Sequence, residues 1–320
     1  MKVFGLYCFG NDGFGRGLAE CLKCGFGVFV EEYYGDGEPC PRVLVDYGEV
    51  EGKCVAVVAR LRFPAKFSDV ARYLHNFLRV VSSLSDEELF NAECVDVILP
   101  YFVLGRQDHN PRTDPSRLVR VRDRGKDVGY RSLIKMFKGC GAGRVVTFNP
   151  HFHVLEGCVK VLGLDVVSLS GVRVLGEYFR PKLGGDAVVL GRDEKAGRLA
   201  KQLAEQLNLR SYYFEKRRIS EREVEYRGKF DAKGRDVLIV DDLTTGMGIV
   251  EFVERVVNPG NVYFGVIHAT LTLEGYGVLK EVLRSGEIRD FDATNTTVSP
   301  FSKINVIPEL VKFYTGKTSC

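Results

Sequence analysis

One stretch in the second half of the chain constrains the fold more than any other, because it combines a buried strand, an acidic tip, a short turn and a helix. Four apolar residues, 237–240, predict a strand buried on both faces, as in a parallel sheet. Asp241 and Asp242 end that strand, and a turn rich in threonine and glycine leads to Gly248. Apolar residues then recur at helical spacing over 249–257. The stretch therefore predicts a strand–turn–helix unit of an α/β protein.

The turn in this stretch has two interpretations. Backbone N–H groups and the helix dipole favour an anion at the start of a helix, so the turn can seat a phosphate group. The two carboxylates beside it suit ribose hydroxyls, or a metal carried by a sugar phosphate. Alternatively, the stretch is an ordinary strand–turn–helix in which Asp241 or Asp242 caps the helix.

Composition and charge narrow the class of protein. The 320 residues are 45% hydrophobic and 27% charged, as in a globular protein with one large core or two medium ones. No apolar run approaches the roughly 18 residues of a membrane span, so no membrane partner is predicted. A net charge of only +3 gives no general attraction for nucleic acid, and none is predicted as a partner.

The cysteines and the start of the chain bear on location. Nine cysteines are an odd number, and only Cys21 and Cys24 form a C-x-x-C pair, with no second pair to complete a zinc site. We expect these two to be small buried hydrophobic residues. The first residues show no signal-peptide pattern. Reduced thiols and a cytoplasmic protein are the resulting expectation.

Short apolar strands alternate with helical patterns along the whole chain. This alternation predicts an α/β fold in which mostly parallel sheets are flanked by helices. Because the strand–helix units are more numerous than one sheet usually holds, we expect two similar domains, residues 1–165 and 166–304. The C-terminal segment 305–320 is expected to join the first domain. The basic segment 109–131 is predicted to be a solvated loop or insertion.

Polar side chains follow the carboxyl ends of several predicted strands, where open parallel sheets bind ligands. The arginine of Arg106-Gln107-Asp108 can clamp a phosphate or stack on a base, although a surface salt bridge would explain it equally. His151 and His153 would lie on one face if their segment is extended, and they could serve as metal ligands or as a base, or have no catalytic role.

A basic run, residues 216–218, follows another predicted strand. A flexible loop of this kind can close over a polyphosphate and neutralise charge in the transition state, or it can be a solvated loop without function. The sequence has no Walker P-loop and no G-x-G-x-x-G after a strand, which disfavours both of those nucleotide sites.

Taken in order, six segments resemble the ribose-phosphate pyrophosphokinase (PRPP synthetase) family, in a divergent form similar to its archaeal members. The acidic loop resembles the family's Phe-x-Asp-Gly-Glu, and the run from Pro100 to Asp108 resembles its Pro-Tyr-x-x-x-x-Arg-Gln-Asp. The other segments resemble the family's magnesium-associated histidine, its strand ending in Pro-Asp, its catalytic flexible loop and its ribose-5-phosphate loop. The six segments are 34–38, 100–108, 149–151, 188–193, 215–220 and 240–248.

The resemblance implies transfer of a diphosphoryl group from ATP to the 1-hydroxyl of ribose 5-phosphate, with Mg²⁺ as cofactor. It also implies that residues 1–165 form the ATP side and residues 166–304 the ribose-5-phosphate side. The implied ATP-binding residues are Tyr34, Asp36, Glu38, Arg106, Gln107 and Asp108. The implied ribose-5-phosphate-binding residues are Asp241, Asp242, Thr244, Thr245, Gly246 and Gly248. The implied metal-associated residues are His151 and Asp193, and the implied catalytic residues are Lys216 and Arg218. Because the acidic loop of the family reaches a neighbouring subunit, the resemblance also implies a homo-oligomer, a dimer or larger.

This chain departs from the family's motifs at its sugar-phosphate loop. The family has Asp-Asp-x-x-x-Thr-Gly-Gly-Thr, whereas this chain is one residue shorter between Asp242 and Thr245. Met247 replaces a glycine, and Gly248 replaces the last threonine with its hydroxyl donor. After Asp193, Glu194-Lys195-Ala196 stands where the family has glycines, and Glu194 adds a negative charge beside the site. The altered loop motivates one alternative, a non-catalytic paralogue with a regulatory or assembly role. The second alternative is a phosphoribosyltransferase-type enzyme, which would share the Asp-Asp–Thr-Gly loop.

Overall fold

The computed structural model describes residues 6–10, 12–108, 127–153, 155–218 and 224–316. The chain divides into two compact units, each with its own parallel sheet. The first comprises Met1–Arg60, Phe67–Leu169 and Ile307–Cys320, and the second comprises Leu61–Lys66 and Ser170–Val306. This architecture confirms the predicted α/β class. The predicted assignment of ATP to one domain and ribose 5-phosphate to the other stays a prediction.

The first unit is built on an eight-stranded sheet in the order β3-β2-β1-β4-β5-β6-β8-β7. Its elements in chain order are β1 (Leu6–Phe9), α1 (Gly13–Leu22), β2 (Gly25–Val30), β3 (Arg42–Leu44), α2 (Tyr47–Val50), β4 (Cys54–Val58), α3 (Phe67–Ser85), β5 (Cys94–Ile98), α4 (Gly129–Gly139), β6 (Arg144–Phe148), β7 (Gly157–Val161) and β8 (Leu164–Leu169). The inner strands pair in parallel, and only β3 and β7, at the two edges, are antiparallel. Consistent with this placement, β4, β5 and β6 are buried along most of their length.

The second unit is built on a six-stranded, all-parallel sheet in the order β10-β9-β14-β16-β17-β18, with two short ribbons beside it. Its elements are α5 (Val172–Phe179), β9 (Val188–Gly191), α6 (Glu194–Leu207), β10 (Arg210–Tyr213), β11 (Glu215–Arg218), β12 (Val224–Arg227), β13 (Phe230–Asp231), β14 (Val237–Thr244), α7 (Ile249–Val253), β15 (Val256–Val257), β16 (Val262–Ala269), α8 (Leu273–Ser285), β17 (Asp290–Thr294) and β18 (Ser302–Ile304). The last helix of the chain, α9 (Ile307–Tyr314), belongs to the first unit.

Two predicted segments differ in the structure. The predicted helix over 249–257 ends at Val253, because Val256 and Val257 instead form β15 and pair in parallel with β13. The predicted loop 109–131 lies mostly outside the described residues, and its last positions begin helix α4. Leu133, Ile134 and Phe137 give that helix a buried face, which continues beyond the charged segment.

The cysteines also differ from expectation. Cys54 and Cys94 are register partners on β4 and β5 and are joined by a disulfide, so the prediction of reduced thiols was wrong for this pair. Cys21 is exposed and Cys24 is half-buried, because helix α1 buries the face of Phe14, Leu18 and Ala19. Among the described residues, no helix is long and apolar enough to cross a membrane.

A buried polar contact fixes the C-terminal helix to the first unit. The Asp96 carboxylate on β5 is 4% exposed, and its Oδ2 atom accepts a hydrogen bond from the Tyr314 hydroxyl of α9 at 3.0 Å. Arg144 on β6 donates to the same oxygen at 2.6 Å. The last turn of helix α9 is therefore held by the carboxylate of Asp96 at the centre of the sheet.

We expect Tyr314→Phe to lower the free energy of unfolding by about 1.5–3 kcal/mol, since a hydrogen bond to a charged group is lost with little change in packing. Equilibrium urea unfolding measures this difference. Tyr47→Phe is the matched control, because Tyr47 is 58% exposed and should change stability by less than about 0.5 kcal/mol. Equal stability of the two variants would contradict the assigned contact.

Candidate functional site

The candidate site of the second unit lies at the carboxyl end of β14. The strand runs four residues further than predicted, and Asp241 and Thr244 still pair in register with Val266 and Ala269 of β16. Asp241 and Asp242 thus lie within the strand rather than after it. Successive side chains of a strand point to opposite faces. Asp242 is 4% exposed, whereas the Asp241 side chain keeps 14% of its surface exposed.

The turn after β14 is held by hydrogen bonds from its own side chains and from the next strand–helix connection. The hydroxyl of Thr244 accepts from the Gly246 N–H at 3.1 Å. The carbonyl groups of Thr244 and Thr245 accept from the N–H groups of Thr270 and Thr272 at 3.0 and 3.1 Å. The carbonyl oxygens of Thr244 and Thr245 are therefore hydrogen-bonded within the protein, and these bonds hold the turn at the end of the strand.

Two glycines bring the turn against the start of helix α8. Gly246 has φ of +89°, and a Cβ there would lie 2.5 Å from the Gly275 carbonyl oxygen. A Cβ on Gly275 would in turn overlap the Thr245 carbonyl oxygen. The two backbones can touch only because both positions are glycine. This contact explains why Gly246 is needed in the turn.

Helix α7 begins directly after the turn, with Gly248 as its N-cap residue and no side-chain cap. Neither Asp241 nor Asp242 caps the helix, so that alternative interpretation of the stretch is wrong. The helix is five residues long, so backbone geometry of the turn, rather than a long helix dipole, has to supply most of any anion binding.

The neighbouring strand β9 ends beside this turn at Gly191, and Asp193 follows two residues later. A Cβ on Gly191 would lie 2.5 Å from the Gly197 N atom, so strand and helix backbones pack closely at this point. Asp193 is the N-cap of α6, and its Oδ1 atom accepts from the Ala196 N–H at 3.0 Å. Asp193, which was predicted to be associated with metal, therefore caps helix α6 through one of its carboxylate oxygens.

Arginine and carboxylates meet between β9 and β14. Arg192 Nη1 lies 3.0 Å from Asp241 Oδ2. Burial raises the pKa of Asp241 well above its usual value; Arg192 opposes this, and the negative charges of Asp242 and Asp193 add to it. The strand ends thus gather three carboxylates and one guanidinium.

This carboxylate group fits a magnesium ion that is shared with substrate. Mg²⁺ is usually bound by one or two carboxylates together with phosphate oxygens and water. Asp241 and Asp193 are half-buried, and their mutual repulsion would be relieved by a cation. Across the described residues, no group of three or more His, Cys, Asp and Glu side chains could hold a metal by itself. A metal here would therefore need oxygens from a ligand.

In the first unit, the segments after β5 and β6 meet through aromatic rings. Phe152 stacks on Tyr130 of α4 with ring centroids 4.4 Å apart and contacts Phe102 edge-on at 5.0 Å. The segment with Arg106, Gln107 and Asp108 and the segment with His151 therefore lie at one edge of the sheet, as predicted from their positions after strands.

The side chains at this edge differ in exposure. Arg106 and Gln107 are exposed, and Asp108 and His151 are half-buried. The Gln107 amide lies against Gly129, where a Cβ would be 2.6 Å from its Oε1 atom. His151 follows Asn149, which is buried with φ of +34°, a conformation that asparagine tolerates.

The acidic loop of the first unit is a separate, exposed turn. Tyr34 N–H donates to the Glu38 carbonyl and Gly37 N–H to the Tyr34 carbonyl, both at 2.9 Å. Tyr34 is 60% exposed, and Asp36 and Glu38 are also exposed. The loop packs on α3, where Arg79 donates to the Pro39 carbonyl. Its three predicted ATP-binding side chains face solvent, and their role stays a prediction.

The predicted catalytic residues Lys216 and Arg218 lie on β11, which pairs with β12 as an antiparallel ribbon. Residues 215–218 are thus paired in an antiparallel ribbon rather than in an open loop, and the flexibility expected of this segment stays a prediction. The segment between the two strands, 219–223, lies outside the described residues.

Two residues at the site have no counterpart in the predicted set. Arg192 contacts Asp241, and Gly275 supports the turn at Thr245 and Gly246. A charged residue directly after a buried strand was the available signal for Arg192. Gly275 is about 30 residues from the turn in sequence, so nothing local could have indicated its contact.

Known proteins resemble most of the length of this chain. It is 34% identical over 224 residues to the ribose-phosphate pyrophosphokinase of Thermococcus kodakarensis, covering 69% of this chain and 72% of that protein. It is 30% identical over 303 residues to the ribose-phosphate pyrophosphokinase of Methanopyrus kandleri, covering 93% of this chain and 94% of that one. The chain belongs to the ribose-phosphate pyrophosphokinase family. No family model matches it.

The fold of this ribose-phosphate pyrophosphokinase family member agrees with that of a solved relative. The crystal structure of phosphoribosylpyrophosphate synthetase from Mycobacterium smegmatis matches 98% of this chain and 97% of that one, with a TM-score of 0.72 at 19% identity. The predicted family, fold and enzyme class, a ribose-phosphate diphosphokinase, are confirmed. No observation favours the paralogue or the phosphoribosyltransferase-type alternative.

We expect Gly246→Ala to destabilise the second unit by about 1–3 kcal/mol or more, because alanine is strained at this φ and its Cβ meets the Gly275 backbone. Gly277→Ala, on the same helix α8 with open space around the position, should instead gain about 0.4–1 kcal/mol. Thermal unfolding of both variants measures the contrast. A neutral Gly246→Ala would show that the turn is not held by this contact.

Proposed function

We propose that this chain transfers the diphosphoryl group of ATP to the 1-hydroxyl of ribose 5-phosphate, giving PRPP and AMP. The observation that supports it most is the site at the end of β14: in a chain of this family, two carboxylates are followed by a turn whose carbonyl groups are held by Thr270 and Thr272. A cytoplasmic location is part of the proposal, since both substrates are intracellular metabolites.

The second unit binds ribose 5-phosphate in this proposal. The turn formed by Thr244, Thr245, Gly246 and Gly248 receives the 5-phosphate, which accepts hydrogen bonds from backbone N–H groups. Asp241 and Asp242 accept from the ribose hydroxyls. Because the turn is braced by Gly275, its donors keep their positions when the sugar binds, which lowers the entropic cost of binding.

The first unit binds ATP. Arg106 and Gln107 are exposed at the carboxyl edge of the sheet and are available to a nucleotide, with Asp108 beside them. Tyr34, Asp36 and Glu38 project on the exposed acidic loop and complete the adenine site of a neighbouring copy. This exchange of loops requires a homo-oligomer, a dimer or larger.

Lys216 and Arg218 neutralise the charge that develops on the transferred phosphoryl oxygens. Phosphoryl transfer of this kind depends on positioning and electrostatic stabilisation, so no covalent intermediate with the protein is required. His151 and Asp193 would each serve as a ligand for Mg²⁺ brought in with substrate, and the metal would supply positive charge that offsets the negative charge of the phosphate groups.

The reaction is tested by its products. With ATP, Mg²⁺ and ribose 5-phosphate, we expect AMP and PRPP in equal amounts, resolved by anion-exchange chromatography. Omitting Mg²⁺ with a chelator should abolish both, and adding it back should restore them. ADP without AMP would mean transfer of a single phosphoryl group and would contradict the proposal.

Lys216→Ala tests the assigned catalytic role. We expect kcat to fall about 10²–10³-fold, the usual cost of removing one group that stabilises transition-state charge, with the fold unchanged. Lys201→Ala, an exposed lysine on α6, is the control and should keep the wild-type rate. Retention of the wild-type kcat in Lys216→Ala would remove residue 216 from the mechanism.

A further inference from the structure

Arg192 is held in a defined place between β9 and α7. Its Nη1 atom lies 3.0 Å from Asp241 Oδ2, and its guanidinium carbon lies 4.3 Å from the centre of the Phe252 ring. Only 15% of the side chain is exposed. An ion pair on one side and an aromatic face on the other leave the guanidinium little freedom.

The guanidinium occupies the space that a side chain at position 248 would need. A Cβ on Gly248 would lie 2.9 Å from Arg192 Nη2, and the next nearest atom would be Arg192 Cζ at 3.9 Å. Glycine at 248 therefore does not follow from backbone strain, since its φ is −94°. Glycine at 248 leaves room for the guanidinium, which a Cβ at this position would displace.

One donor of Arg192 is not explained by these contacts. The Nε–H group is buried and has no hydrogen-bond partner among the described residues. A buried donor without a partner is unfavourable, and each such case in a folded protein calls for an explanation. The buried Nε–H group of Arg192 therefore lowers the stability of the fold, and the packing of the side chain does not explain why it is kept.

We propose that Arg192 is a positioning residue of the ribose 5-phosphate site, coupled to Gly248. This inference rests on the proposed function of the site. Arg192 fixes the Asp241 carboxylate, which accepts from the ribose, and places a permanent positive charge beside the turn that receives the 5-phosphate. Glycine at 248 gives the guanidinium the room to do so.

The two positions also depend on each other in space, since the Arg192 guanidinium lies where a side chain at 248 would begin. A fixed cation beside the turn stabilises an anionic substrate through charge-assisted hydrogen bonds.

A double-mutant cycle tests the coupling. Wild type, Arg192→Ala, Gly248→Thr and the double variant are compared for kcat and for the KM of each substrate. We expect each single change to raise the KM for ribose 5-phosphate roughly tenfold or more, with the KM for ATP within about twofold of wild type. In the Arg192→Ala background the space beside position 248 is empty. Adding Gly248→Thr there should raise the KM for ribose 5-phosphate by less than about a third of the factor that it causes in the wild type, or should lower that KM.

Two further variants separate positioning from general effects. Arg192→Lys keeps the charge but loses the planar guanidinium group, so its KM for ribose 5-phosphate should lie between those of the wild type and Arg192→Ala. Arg198→Ala is the control, since Arg198 is 60% exposed on α6, and it should change neither KM. Equal rises in both KM values for Arg192→Ala, or single effects that simply multiply in the double variant, would overturn the inference.

Failure of the proposed function would look different, because the wild type itself would then form no PRPP. Ribose 5-phosphate would in that case be titrated calorimetrically into the same four proteins. Binding with the same coupling between positions 192 and 248 would keep the assigned role of Arg192. Absence of binding to all four would overturn it together with the site.

Discussion

The second unit depends above all on the parallel pairing of β9, β14 and β16, which brings the carboxyl ends of three strands to one edge. These strands are buried on both faces, so their register is fixed by packing as well as by hydrogen bonds. Asp193, Asp241 and the turn that begins at Thr244 meet as a direct consequence. The contact of Gly246 with Gly275 then fixes the shape of that turn. If the register between these strands were shifted, the carboxylates and the donors of the turn would no longer face one ligand.

Much of this arrangement could be predicted from local sequence. Residues 237–240 are uniformly apolar. Two acidic residues followed by a glycine-containing turn indicate the end of a strand and a candidate binding site there. The edge formed by Arg106 and His151 followed from the same rule about carboxyl ends of parallel strands. What local pattern cannot contain is tertiary pairing. The ribbon of β11 and β12, the end of α7 at Val253 and the support from Gly275 all depend on partners distant in sequence.

Arg192 shows how such a distant contact changes the interpretation of a motif. Taken singly, Gly248 is a turn residue without a hydroxyl donor, and Arg192 is a charged residue directly after a buried strand. Side by side, they form one arrangement in which a buried guanidinium, seated on Phe252 and paired with Asp241, fills the place of the missing side chain. A departure from a family motif is thus better judged in pairs of contacting residues than position by position.

The most direct measurement of the central claim is amide hydrogen exchange of residues 241–250 with and without ribose 5-phosphate. If the turn receives the 5-phosphate through its backbone, exchange of the amides from Thr245 to Gly248 will slow when ribose 5-phosphate is added. Ribose, which lacks the phosphate, will leave those amides nearly unchanged. Unchanged exchange in this turn, at concentrations of ribose 5-phosphate that saturate the protein, would contradict the assignment of the site.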